Sequence, residues 1–372
     1  MMAKICNCLV IVVLLSVCMS GYGLSKAEPK DDRYLCIRMV FVRNTDTDLQ
    51  LLYRLAQRDT AELSSIEYTA LQDLYDATYG EYWDWNSALG ARWNFTDGSS
   101  PCLDEWEGIV CTPPEADGNL HVYNITLNYA GLTGSLPDSI GDFPYLNTLD
   151  LSYNQIVEGG LPDSIGQLHN LRYLQLALTQ FTGFNGDVLG TMTNLTVLDF
   201  SFNYLSGTFP EALCNLTSLR VFNFEVNVLY HELPDCFGGM SELTVFQIES
   251  NFLSGDLPPS LGDCAKLTQL HLATNIFSGA LPSTLHNLHS LQIFDAGNNF
   301  LSGTLPPYIC ASEQLTFLGV SFNAFTGTLP SELYALANLK TLNLASNAFN
   351  GSIANAIGNL TLMTQLFFDN ND

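Results

Sequence analysis

Four acids, Asp199, Glu225, Glu249 and Asp295, sit at matching places in successive stretches of similar sequence, with Asn223, Gln247 and His271 interleaved among them. A row of carboxylates attracts cations or basic side chains at long range, and salt weakens that attraction. Two carboxylates at a controlled separation are also the equipment of glycoside hydrolysis. Toward the N-terminus, Tyr129, Tyr153 and Phe202 recur in a neighbouring register. Aromatic anchors beside polar groups suit contact with protein or carbohydrate. The acids equally fit ordinary solvated positions, because exposed polar residues need no function. Neither CxxC nor HExxH occurs, so the sequence suggests no metal or cofactor.

A repeat positions these residues. Aligned on one apolar position, copies begin at Val122, Leu146, Leu171, Leu195, Leu219, Leu243, Leu267, Leu291, Leu315, Leu339 and Met363. We call them coils 1 to 11. Every step is 24 residues except that from 146 to 171, which carries one extra residue near Glu158. In "LTVFQIESNFLSG", Phe246 and Ile248 are two apart and share one strand face, with Leu243 also pointing inward. One coil cannot bury that face, but stacked coils bury it continuously. Asparagine recurs from Asn154 to Asn371, where its amide can satisfy backbone groups in a tight bend. Ala130 and Thr179 interrupt that column, which predicts looser packing in coils 1 and 3. Gly134, Gly183, Gly207, Gly255, Gly279, Gly303 and Gly327 mark a second bend that tolerates unusual dihedrals.

The period and the pattern L-x-x-L-x-L-x-x-N-x-L are those of a leucine-rich repeat. "NFLSGDLPPSLGDC", "NIFSGALPSTLHNL" and "NAFTGTLPSELYAL" resemble the plant-type form of that family, and residues 66–111 resemble its N-terminal cap. The resemblance covers about residues 64–372. It implies an α/β solenoid: a right-handed superhelix with a concave parallel β-sheet, a convex side mostly of 3₁₀ segments and loops, and a helical N-terminal cap. It also implies a binding protein rather than an enzyme. Relatives include receptor ectodomains and polygalacturonase-inhibiting proteins, and the catalytic kinase domain of the receptors has no counterpart in this sequence. An open sheet offers no closed cleft to raise one carboxyl's pKa, which argues against hydrolysis.

We read residues 1–23 as a secretory signal, with Lys4 before a short apolar run and small residues after it. Residues 24–63 are an extension without assigned role, 64–121 the cap and 122–372 ten full repeats and a partial one. In the cap, Ser64 and Glu67 have capping-box spacing before a helix with Ala70, Leu71, Leu74 and Tyr75 on one face. The family pattern implies a Cys102–Cys111 disulfide. Cys214 and Cys236 lie at similar places in adjacent coils, whose separation permits a second. Cys264 and Cys310 are two coils apart and read as buried apolar residues, and the pairing of Cys36 stays open. Asn94, Asn124, Asn194, Asn215, Asn350 and Asn359 begin glycosylation sequons. The chain stops one strand into coil 11, which reads as a truncated or incomplete chain.

The formal net charge of −25 disfavours nucleic acid as a partner. The expected function is extracellular recognition on the concave face, by a receptor or its soluble form, of a protein, a basic peptide or a glycan. The alternatives are an inhibitor of secreted polysaccharide-degrading enzymes and a structural wall or matrix glycoprotein. A membrane enters only through a retained signal or a truncated receptor.

Overall fold

The computed structural model describes residues 62–372, apart from 87, 157 and 158. The signal, nearly all of the extension, Cys36 and the extra residue near Glu158 lie outside the described residues. No described helix is long and apolar enough to cross a membrane.

Helix α1 (Ser65–Ala77) buries Ala70, Leu71 and Leu74 in the core. The expected capping box does not form. Ser64 makes no side-chain cap. Glu67 turns inward, fully buried, and its Oε1 accepts from the Val122 N–H at 3.1 Å. Val122 begins the strand of coil 1, and a buried N–H there needs an acceptor more than the exposed helix end does. Behind α1, Trp83, Trp93 and Trp106 form the cap's core with Tyr75, Trp85 and Phe95 around them. Trp93 stacks on Trp106 at 5.6 Å, and its Nε1 donates to the Glu107 carbonyl at 2.8 Å.

The inner sheet has twelve strands. Ile109–Cys111 of the cap pairs antiparallel with Val122–Thr126 of coil 1. All later neighbours are parallel, and each short strand pairs with its equivalent one coil on, as Phe246 does with Leu270. The middle residue of each strand from coil 2 to coil 10, such as Leu149, Phe222, Phe246 and Leu318, is fully buried, as is Ile248.

The asparagine column staples neighbouring coils. Asn251 Nδ2 donates to Phe224 O of the coil before (2.9 Å) and to Ile248 O of its own (3.1 Å), while its Oδ1 accepts from Leu229 N. The looser packing expected at coil 3 is not found. Thr179 is fully buried, and its hydroxyl donates to the Leu176 carbonyl at 2.7 Å. Asn203 Oδ1 of coil 4 accepts from Phe181 N, as its counterparts do in other coils, and also from Thr179 N. In coil 1, Asn154 of coil 2 serves in the same way, bonding Leu127 O and Leu132 N, and Ala130 itself is buried.

Beyond the asparagines, a second sheet of seven parallel strands runs from Ser206–Gly207 to Ala348–Phe349. The repeat pattern predicts only bend and loop in that stretch, and the second sheet forms there instead. Proline then leads into 3₁₀ segments such as Pro259–Asp263 and Ser283–Asn287, as expected for the outer side. The glycine bend is left-handed at Gly207, Gly255, Gly279, Gly303 and Gly327 but not at Gly183.

Both expected disulfides form, Cys102–Cys111 and Cys214–Cys236. Cys264 and Cys310 are free among the described residues, the first buried and the second half-buried. Burial pushes both thiols up to about 12, which leaves them protonated and unreactive.

Candidate ligand-binding face

Each inner strand presents its first and third residues outward and its middle residue to the core. The third residues include Asp199, Asn223, Gln247, His271 and Asp295, which are half-buried and stand in one column. Strand register sets Asn223 beside Gln247, Gln247 beside His271 and His271 beside Asp295. Glu225 and Glu249 come two residues later, where the strand has ended, and are also half-buried.

These acids are not equivalent. Asp199 Oδ1 accepts from Ser201 N at 3.0 Å and from the Ser201 hydroxyl at 2.7 Å. Asp295 Oδ1 accepts from Gly297 N at 3.1 Å, and Asn223 Oδ1 from Glu225 N at 3.1 Å. Those three side chains hold the bend that follows them. Glu225 and Glu249 have no backbone donor of this kind, so they are the carboxylates available to a ligand. Glu249 Oε2 lies 3.6 Å from His271 Nδ1. The His271 ring beside it holds the Glu249 carboxyl below its ordinary range, against the opposing effect of burial. Burial pushes Glu225 up, and the charges of Glu249 and Asp199 push it further. Asp295 is raised by burial, partly offset by the Gly297 N–H. Like charges crowd around Glu225, and a cation placed there would relieve them. His271 Nε2 is buried and has no hydrogen-bond partner among the described residues.

The aromatic residues divide. Tyr129 and Tyr153 stack at 4.1 Å with ring planes 11° apart, so they shield one face of each other and expose their edges. Phe202 is exposed two coils beyond Tyr153, with Leu178 between. Tyr129, Tyr153, Leu178, Phe202, Val226, Ser250, Thr274, Asn298 and Phe322 all have positive φ, from 52° to 61°. Non-glycine residues are uncommon there. The geometry persists because each N–H donates to a carbonyl of the next coil, as Phe202 N does to Glu225 O at 2.9 Å. Nothing in the residue types signals this, since tyrosine and valine are poor candidates for that backbone region.

Of the sequon asparagines, Asn94, Asn194, Asn215, Asn350 and Asn359 are exposed. Asn124 lies on the coil 1 strand, half-buried, with its Oδ1 buried and unpartnered.

The sequence reading missed His121. It is buried, its Nδ1 lies 2.7 Å from Glu67 Oε2 and its Nε2 3.1 Å from Asp117 Oδ2, and its ring stacks on Tyr145 at 4.2 Å. Burial raises Glu67, and His121 opposes the rise. The spacing of 54 residues between partners left no local signal. A cavity of about 340 Å³ lies among Leu342, Phe349, Leu366 and their neighbours, and another of about 540 Å³ lies on the outer side among Asp138, Asp142 and Asp163. Neither includes the inner acids.

Residues 120–278 match the family described as Leucine-rich repeat region, and residues 338–360 match Leucine Rich Repeat. Among solved structures, the ectodomain of the Arabidopsis thaliana membrane receptor kinase GASSHO1/SCHENGEN3, in complex with CASPARIAN STRIP INTEGRITY FACTOR 2, is similar. It is 32% identical with a TM-score of 0.71, over 77% of this chain and 34% of that one. The Arabidopsis receptor kinase HAESA, in complex with the peptide hormone IDA and the co-receptor SERK1, is 26% identical with a TM-score of 0.64, over 82% and 53%. A plant ice-binding protein is 26% identical with a TM-score of 0.64, over 78% and 89%. The chain spans 6% of the length of the curated relatives it matches, which are receptor-like kinases of Arabidopsis thaliana. The stacked coils, asparagine staples and parallel inner sheet make this chain a leucine-rich repeat protein of the plant type.

Proposed function

We propose that the protein is an extracellular recognition module, not an enzyme, that binds a basic peptide or protein segment on its inner sheet in coils 4 to 8. The observation that carries this reading is Glu225, half-buried, with no backbone donor on its carboxylate and with the carboxylates of Glu249 and Asp199 beside it. Desolvated like charges are costly unless an opposite charge joins them. A Lys or Arg side chain from a ligand supplies it. The complexes of the similar Arabidopsis receptor ectodomains with their named partners support recognition as the task, and the two disulfides support an oxidising compartment. The similar ice-binding protein demonstrates that the fold serves more than one end, so the argument rests on the site.

The test is capture of a lysine- or arginine-rich peptide library by the parent protein and by the charge-reversed double variant Glu225→Lys/Glu249→Lys. Capture should be lost in the variant, and raising the salt concentration should weaken it in the parent. Capture that survives both changes would remove the inner acids from the binding site.

A further inference from the structure

Tyr129 and Tyr153 occupy equivalent places in coils 1 and 2, and their rings stack with centres 4.1 Å apart and planes 11° apart. Both are open to solvent, at 64% and 45% exposure. Among the described residues no other two tyrosine rings stack. The column goes on as Leu178, Phe202 and Val226 in coils 3 to 5, none of which carries a phenol.

The backbone holds this pair in place. Both residues lie in the left-handed region, at φ 56° and 61°. Tyr129 N donates to Ser152 O at 3.1 Å and Tyr153 N to Ala177 O at 2.7 Å. Each bend is tied to the coil after it, so the two Cα atoms stay about one strand spacing, roughly 5 Å, apart. The hydroxyls lie at the same end of the stack. Lost hydration and the Tyr153 hydroxyl raise the Tyr129 phenol above its ordinary 10.0, which keeps that ring a protonated phenol at neutral pH.

We infer that the stack is a site of oxidative modification, at which Tyr129 and Tyr153 couple into a dityrosine that joins coil 1 to coil 2. The oxidant is hydrogen peroxide, used through a haem peroxidase. Each phenol gives up one electron and one proton. A carbon–carbon bond forms between one Cε of each ring, and the hydrogen on each bonded carbon moves to the oxygen of its own ring, which restores both phenols. The peroxide O–O bond breaks, and the two electrons and two protons convert it to two waters. A radical on either ring meets the other ring at once, because the fold already holds them together. Rings joined edge to edge have centres at nearly the separation of this stack, so coupling requires tilting and little travel. The new bond closes a loop one coil long and restricts the unfolded chain as a disulfide does.

The experiment treats the parent, Tyr129→Phe and Tyr153→Phe with a haem peroxidase and limiting hydrogen peroxide. Phenylalanine keeps a ring in the stack and removes the phenol. A photo-oxidised ruthenium complex is run in parallel as a small one-electron oxidant, so that poor access of the peroxidase does not mask the result. The parent monomer should lose two hydrogens in intact mass, and proteolysis should release one fragment that joins the segments around Tyr129 and Tyr153. Each variant should form about tenfold less dityrosine in its monomer fraction, read by dityrosine fluorescence, because the held partner is gone. Undiminished dityrosine in either variant would assign coupling to other tyrosines and overturn the site. Coupling confined to covalent dimers, or no coupled pair under either oxidant, would overturn it as well. Amide exchange in coils 1 and 2 should be slower in the coupled parent than in the untreated protein. Unchanged exchange would overturn the stabilising role of the bond while leaving the modification.

Discussion

The cap and the coil array hold together in opposite ways. In the array, one set of contacts is repeated: an apolar residue at each strand centre, an asparagine between coils, and an N–H from each left-handed bend to the next coil. In the cap, nearly every contact occurs once. Trp93 on Trp106 and Glu67 on Val122 N and His121 have no counterpart elsewhere among the described residues. The difference follows from what each region must cover. An internal coil meets a copy of itself on either side, so identical residues suffice. The first coil meets no copy on its N-terminal side, and its apolar edge and free donors there need partners made for that place.

Changing the cap should have the largest effect. Trp106→Ala removes a fully buried indole and should cost about 3–5 kcal/mol. If contacts are nearest-neighbour in character, amide exchange should quicken first in coils 1 and 2, while Leu318 and Leu342 stay protected. Uniform quickening would mean that cap and array unfold as one unit. In the array, Ile248→Ala should cost about 2–5 kcal/mol, with a lowered melting temperature. An unshifted melting temperature would contradict its burial. Next comes Asn251→Ala, which leaves buried carbonyls and the Leu229 N–H unpaired and should cost about 1–3 kcal/mol by denaturant titration. Asn251→Thr should recover part of that loss, as Thr179 fills the same column in coil 3. Full destabilisation by threonine would mean that coil 3 depends on something besides its hydroxyl.

The smallest effect concerns pH. Glu67 is raised above its ordinary 4.5 by burial, with His121 and Asp117 facing the cluster. Folding therefore favours its protonated form. Its contribution is fully present below 4.5 and is lost as pH rises through the raised value. Glu67→Gln should remove this dependence, so that the parent loses stability relative to the variant as pH increases above 4.5. Melting temperatures across a pH series check this. The opposite slope would mean that the His121 pair outweighs burial.

The array was largely legible from sequence because its contacts are periodic. A 24-residue frame shows which residues meet before any fold is known, and Phe246, Ile248 and Asn251 lie where the frame puts them. The cap was legible only as a helix, tryptophans and a cysteine pair. Glu67 was read as a local cap because its spacing from Ser64 fits one, whereas its actual partners, His121 and Val122, are 54 and 55 residues away. For the candidate site, sequence put the acids on one face but could not rank them, since Asp199 and Glu225 differ only in what the following bend donates.

By itself, then, the sequence determined the repeat, the coil spacing, the buried face, both disulfides and the outward columns. All of these follow from residue type recurring at a fixed interval or, for the cap's cysteines, from a family pattern. The tertiary structure decided the rest. It turned non-glycine residues into a left-handed column because the next coil accepts their N–H groups, and it formed the second sheet, which sets Phe252 beside Tyr230. It also buried Glu67 against His121 where no neighbouring coil supplies an acceptor. Each of these depends on the free energy of satisfying a backbone group in three dimensions, a quantity that no local pattern carries.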